Sequence, residues 1–94
     1  MDQAYKEKVM HKSELLKAIA NPVRLCILNQ LSEKGEMRVS DMQECIEASQ
    51  SVISQHVRKL KDLGILGLRR DGTSSYYSLE DEAVKKIVKT TMDS

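Results

Sequence analysis

This sequence predicts a mainly helical fold with one β-hairpin, in the order helix, helix, helix, helix, hairpin, helix. Three observations predict it. Apolar residues recur at helical spacing over most of residues 3–63. Beyond them the period changes to two across residues 65–70 and 74–79, with the turn pair Asp71-Gly72 between the two runs. Aromatic residues are scarce, three Tyr with no Phe or Trp, so Leu, Ile, Val and Met must fill the core. The 94 residues suit one domain, 1–94. A chain this short builds only a modest core, which dimerisation would extend.

The first helix spans about residues 3–20, with Tyr5, Val9, Leu16 and Ile19 on one face. Asn21-Pro22 interrupts it: Asn caps and Pro suits the first position of a second helix. Val23, Leu25, Ile27, Leu28 and Leu31 make that helix broadly apolar and largely buried, and Gly35 is its C-terminal cap. Residues 37–39 are a short link. Ser40, with Gln43 three residues later, has the pattern of a capping box for a short third helix with Met42, Cys45 and Ile46 inward. Ser49 caps a fourth helix over about residues 50–63, which Gly64 stops. The last helix runs from Glu80 to about Met92, with Val84, Ile87, Val88 and Met92 on one face and Glu80, Asp81 and Glu82 in its first turn, where acidic charge suits the helix dipole.

Two short helices joined by a tight turn and followed by a hairpin describe a winged helix-turn-helix. The net charge of +1 says little, but residues 48–79 hold five Lys/Arg against two Asp/Glu, so the cations concentrate in the fourth helix and the hairpin. At about 100° per residue, Ile53, Val57 and Leu60 of the fourth helix face one way, with Ser51 and Gln55 nearly opposite. An apolar face that fixes the helix angle, with hydroxyl and amide groups on the other side, suits entry into a DNA major groove. Gln55 matches the bidentate pattern of adenine, and Ser51 and Ser54 reach bases or phosphates. Gln50 and His56 lie on the same helix, and Arg58, Lys59 and Lys61 hold phosphates. Arg69, Arg70 and Thr73 surround the hairpin tip, where a wing touches the adjacent minor groove or backbone. The bland alternative is a solvated helix face with a few cations.

Three blocks in order, "LLKAIANPVRLCILNQL" at 15–31, "SQSVISQHVRKLKDLGIL" at 49–66 and "RRDGTSSYYSL" at 69–79, resemble the ArsR-type family of bacterial winged-helix repressors. The resemblance covers about residues 13–90. It implies a homodimer that binds a roughly palindromic double-stranded operator and leaves it when an inducer binds or reacts. It also implies dimerisation through the first and last helices, a role for the faces of Tyr5, Val9 and Leu16 and of Val84, Ile87 and Val88. Periodicity alone leaves those faces equally open to ordinary intramolecular core.

Many members of the family sense metals. Here Arg38 and Ser40 stand where one class has thiolates, and both are poor substitutes for soft ligands. The other class uses Asp and His on the last helix. Asp81 matches, but Ala83 stands at the first His position and no His follows His56. The expectation is no metal and no cofactor, with His11 and His56 read as surface or DNA-face residues. Cys26 and Cys45 form no CxxC pair or zinc-ligand set. One reading makes them small buried hydrophobes. The other makes them a thiol switch answering oxidants or reactive sulfur species, with Arg24 lowering a thiol pKa if the side chains converge.

No Gly-rich phosphate loop or catalytic motif points to an enzyme. No apolar run approaches the roughly 20 residues of a membrane span, and the polar N-terminus carries no secretory signal, so a cytoplasmic protein with reduced thiols is expected. Two alternatives to an inducible repressor remain: a constitutive DNA-binding regulator with no sensor of its own, and a winged helix that binds protein partners.

Overall fold

The computed structural model describes residues 2–42 and 48–94. Helix α1 (Gln3–Ile19) is capped by Asp2, whose carboxylate accepts from the Tyr5 N–H at 2.8 Å. Only its C-terminal part is anchored, through Leu15, Ala18 and Ile19. Helix α2 (Pro22–Lys34) begins as its sequence dictates: Asn21 Oδ1 accepts from the N–H groups of Val23 and Arg24, and Pro22 takes the first helical position. It buries Ile27, Leu28 and Leu31 and ends at Gly35, which adopts a φ of 90° and donates its N–H to Leu31 O.

The expected link at 37–39 is instead partly a strand, β1 (Glu36–Met37). Two residues carry no readable alternation, so the strand exists only through its pairing. The third helix also starts differently. Helix α3 (Val39–Met42 among the described residues) contains Ser40 rather than being capped by it. Asp41 Oδ2 accepts from the Arg38 N–H at 3.0 Å, the back-reaching half of a capping box shifted two residues towards the N-terminus. Met42 is fully buried, as expected; Gln43, Cys45 and Ile46 lie outside the described residues.

Helix α4 (Gln50–Asp62) is capped by Ser49, whose Oγ accepts from the Val52 N–H at 3.2 Å. Its end is a Schellman motif: Gly64, at φ 79°, donates to Lys61 O, and Ile65 donates to Leu60 O. Strands β2 (Leu66–Asp71) and β3 (Ser74–Leu79) then pair antiparallel, with Leu66 opposite Leu79 and Asp71 opposite Ser74. The tip is therefore Gly72-Thr73, one residue beyond the expected pair, and Gly72 supplies the positive φ of 62° that a two-residue hairpin turn needs. Strand β1 adds to the other edge of β3, giving the sheet order β1-β3-β2.

Helix α5 (Glu82–Asp93) starts two residues later than its acidic run suggested. Asp81 is its cap, accepting from the Val84 N–H at 2.9 Å, while Glu80 stays outside and accepts from Ser78 Oγ at 2.6 Å. One core joins these elements, with Ile27, Leu28, Leu31, Met42, Ile53, Leu60, Ile65 and Val84 among its fully buried side chains. Among the described residues no buried side chain is polar or charged, and no helix is long and apolar enough to cross a membrane.

Candidate nucleic-acid interface

The amphipathic reading of α4 holds residue by residue. Ile53 and Val57 are each 1% exposed and Leu60 is 0%. On the far side Gln50, Ser51, Gln55, Arg58 and Lys59 are exposed. Burying three aliphatic side chains on one face leaves the helix little freedom to roll, so the opposite groups are held at fixed positions. Ser54 and His56 are half-buried and sit on the shoulders of this face. His56 turns towards α2, where its Nδ1 lies 3.3 Å from Arg24 Nη1. Burial, then the Arg24 and Lys59 charges, hold its pKa below the ordinary value. His56, expected on the DNA face, thus has Nδ1 turned to the inner side of the helix.

The hairpin also divides its cations. Successive side chains of a strand point to opposite faces, so the neighbours Arg69 and Arg70 part company. Arg69 lies over the Tyr76 ring at 4.7 Å and donates to Glu36 of β1, Nε to Oε2 at 2.9 Å and Nη2 to Oε1 at 3.3 Å. This pairs Arg69 with β1, in an ion pair whose two side chains are both solvent-exposed. Arg70 is on the other face, with Nη1 donating to Ser75 Oγ at 3.2 Å, and Thr73 is exposed at the tip.

A hollow lined by Arg38, Val39, Ser40, Gln50, Thr73, Ser74, Ser75 and Tyr77 joins the start of α4 to the hairpin tip. The fold thus brings Gln50 and Thr73, from separate parts of the prediction, to one place. It adds Arg38, Ser40 and Ser75, which sequence reasoning did not place there. Arg38 is paired with Asp41, Nε to Oδ2 at 3.3 Å, and the Arg38 side-chain hydrogen bond, the largest cause, holds the Asp41 carboxyl below its usual range. Both side chains are solvent-exposed, so screening keeps the pair weak and Arg38 can exchange it for a phosphate.

The faces expected to meet a partner are partly reassigned. Val84 and Val88 are each 0% exposed inside the chain, so they are intramolecular core and have no surface to offer. Ile87 is partly buried against that core. Tyr5 at 57%, Val9 at 44% and Leu16 at 53% stand open on α1, joined by Met10 at 60% and, on α5, Met92 at 46%.

Asp81 already uses a carboxylate oxygen as the α5 cap. Among the described residues no group of three or more His, Cys, Asp or Glu side chains gathers as a metal site. Cys26, half-buried on α2, is disulfide-bonded. Its expected companion in sensing, Cys45, lies outside the described residues.

Residues 21–66 match the model of the family described as "Bacterial regulatory protein, arsR family". Over 83 residues the chain is 41% identical to the "Cadmium resistance transcriptional regulatory protein CadC homolog" of Staphylococcus aureus, covering 88% of this chain and 69% of that one. It is 34% identical to the "Arsenical resistance operon repressor" of Bacillus subtilis over 88 residues, 94% of this chain and 84% of the relative. Among solved structures, NolR of Sinorhizobium fredii superposes with a TM-score of 0.85 at 33% identity, covering 99% of this chain and 92% of the other. The buried seat of α4, its exposed polar face, the hairpin wing and these likenesses agree: the chain belongs to the ArsR family and is a winged-helix DNA-binding transcriptional regulator, not an enzyme.

Proposed function

We propose that the chain, folded as one domain, works in the cytoplasm as a homodimeric repressor of a two-fold-related operator, and that an inducer releases it. The observation that carries this reading is α4: three buried aliphatic residues behind, Ser51 and Gln55 in front, and the wing tip beside its first turn. Gln55 reads base edges, with Ser51 and Ser54 beside it. Arg58, Lys59, Arg70 and Thr73 hold the backbone on either side and set register. Two such helices on a dimer would read half-sites one helical turn apart, or a multiple of it.

Support for pairing comes from α1, where Tyr5, Val9 and Leu16 form an exposed apolar stripe that the protomer leaves uncovered. Leu16→Glu is expected to shift the protein to monomer in sedimentation equilibrium and to weaken operator binding by at least about ten-fold, because a monomer engages only one half-site. An unaltered dimer would place the interface elsewhere.

One observation favours a thiol-based inducer: the disulfide at Cys26, on the helix that packs directly against α4. Forming such a bond removes two thiol protons and two electrons, which a peroxide or polysulfide accepts, and a thiol reductant returns them. Operator affinity should fall at least about ten-fold on oxidation and recover on reduction, the size of an ordinary allosteric coupling. A Cys26→Ser protein that kept the whole response would exclude this inducer class and leave a regulator sensed by other means or by none.

A further inference from the structure

Arg24 faces inward from α2, and nothing about the DNA-facing side chains gives it a role. Its geometry does. The last turn of α1 leaves two carbonyls without their helical partners. Four residues after Ala18 stands Pro22, which has no N–H, and four after Lys17 stands Asn21, whose N–H bonds Ile19 O instead. Arg24 fills both places: Nε donates to Ala18 O at 2.6 Å and Nη2 reaches Lys17 O at 3.4 Å. The third nitrogen, Nη1, meets His56 Nδ1 on α4 at 3.3 Å. One half-buried side chain from α2 therefore bonds both the end of α1 and α4.

The contact dictates a protonation state. A guanidinium only donates, so Nδ1 must be the accepting nitrogen of a neutral ring that carries its proton on Nε2. We propose that Arg24, bonded to unprotonated His56, is a positioning residue that seats α4 on the α1–α2 corner, and that protonating His56 unseats α4 and costs sequence discrimination. This rests on α4 being the reading helix.

The surroundings of the ring agree. The charges acting on it are Arg24 from α2 and Lys59 from α4 itself, both positive. Helix α4 packs also on α3 and β2. There Asp41 is paired with Arg38, Arg69 with Glu36, and Arg70 with Ser75, and neither these nor Asp71 adds to the charges on the ring. Among the described residues, then, no carboxylate receives a protonated ring. Burial holds the pKa below the ordinary 6.5, so the neutral form's contribution to stability is complete above that value and is lost as pH falls through the folded value.

Simple electrostatics would have a different effect. Extra positive charge beside DNA would tighten binding to every sequence in acid, whereas an unseated helix loses its preference. The test uses a duplex selected by the protein from a random pool and a scrambled duplex of equal composition, one pH unit above the ordinary histidine value and at the lower pH where the nitrogen-15 spectrum shows the His56 ring protonated. The specific-to-random ratio of the unmodified protein should fall about ten-fold on acidification, within the range of coupling through packed side chains. Arg24→Gln should lose a similar factor at the higher pH with its salt slope unchanged. His56→Asn, whose amide accepts from Arg24 but does not titrate, should give the same ratio at both pH values.

A salt slope flattened by about one in Arg24→Gln would make Arg24 a phosphate contact and overturn the proposal. So would a pH-dependent ratio in His56→Asn. If Arg24→Gln fails to fold, His56→Asn and the nitrogen-15 spectrum of the His56 ring still decide, and Nδ1 protonated at the higher pH sinks the idea. No preference for any duplex by the unmodified protein would instead count against α4 as the reading helix, a failure the ring spectrum separates from this one.

Discussion

Gln55→Ala is expected to cost about 1–3 kcal/mol of binding to the preferred duplex and almost nothing on random DNA. The asymmetry follows from where the side chain stands. Gln55 is exposed and opposite Ile53, so truncating it disturbs no packing, and an amide recognises a base edge only when its paired donor and acceptor are both met. Lys59, also exposed, is the contrast. Its alanine variant should weaken all duplexes alike and flatten the salt dependence by about one unit, as loss of one phosphate contact does. Equal losses for Gln55→Ala on preferred and scrambled duplexes, in fluorescence anisotropy, would remove Gln55 from base readout.

The second large effect is on the fold that aims this face. Leu60→Ala should destabilise the protein by about 2–5 kcal/mol, the cost of a fully buried leucine and the cavity it leaves. Leu60 is 0% exposed and belongs to the buried row that seats α4. Against a total of about 5–15 kcal/mol for an ordinary domain, that is a large fraction. Leu63, 41% exposed just beyond the same helix, provides the control: its alanine variant should change stability by less than about 0.5 kcal/mol. Urea unfolding followed by circular dichroism measures both. Similar losses at the two positions would mean that α4 is not held by its buried row.

The elements that were legible in the sequence are those whose signal is local. The period of Ile53, Val57 and Leu60, the Ser49 cap and the Gly64 stop fall within one helix and its ends, and they define α4 almost to the residue. The hairpin was legible for the same reason, because two alternating runs and a turn glycine adjoin in the chain. What stayed hidden depends on residues far apart. Glu36 pairs with Arg69 across 33 positions, a contact that no window around Arg69 contains. Arg24 and His56 meet across 32 positions, and neither side chain announces the other. Strand β1 was too short to show a period and is defined by Glu36 opposite Ser78 and Met37 opposite Tyr77.

Two further features have different causes. Ser40 with Gln43 and Arg38 with Asp41 are competing start signals two residues apart. The second prevails because Asp41 bonds both the backbone and the side chain of Arg38. The apolar faces of α1 and α5 looked alike in sequence, since periodicity reports that a face is apolar but not what covers it. The fold separates them, closing Val84 and Val88 into the chain's own core while leaving Tyr5, Val9 and Leu16 open.

Placement of DNA against α4 and the wing can be checked by titrating a selected duplex into nitrogen-15-labelled protein and following each backbone amide. The largest changes are expected on Gln50, Ser51, Gln55, Arg58 and Lys59 and on Arg70 and Thr73 at the wing. Changes concentrated elsewhere, with the exposed face of α4 unmoved at saturation, would contradict it.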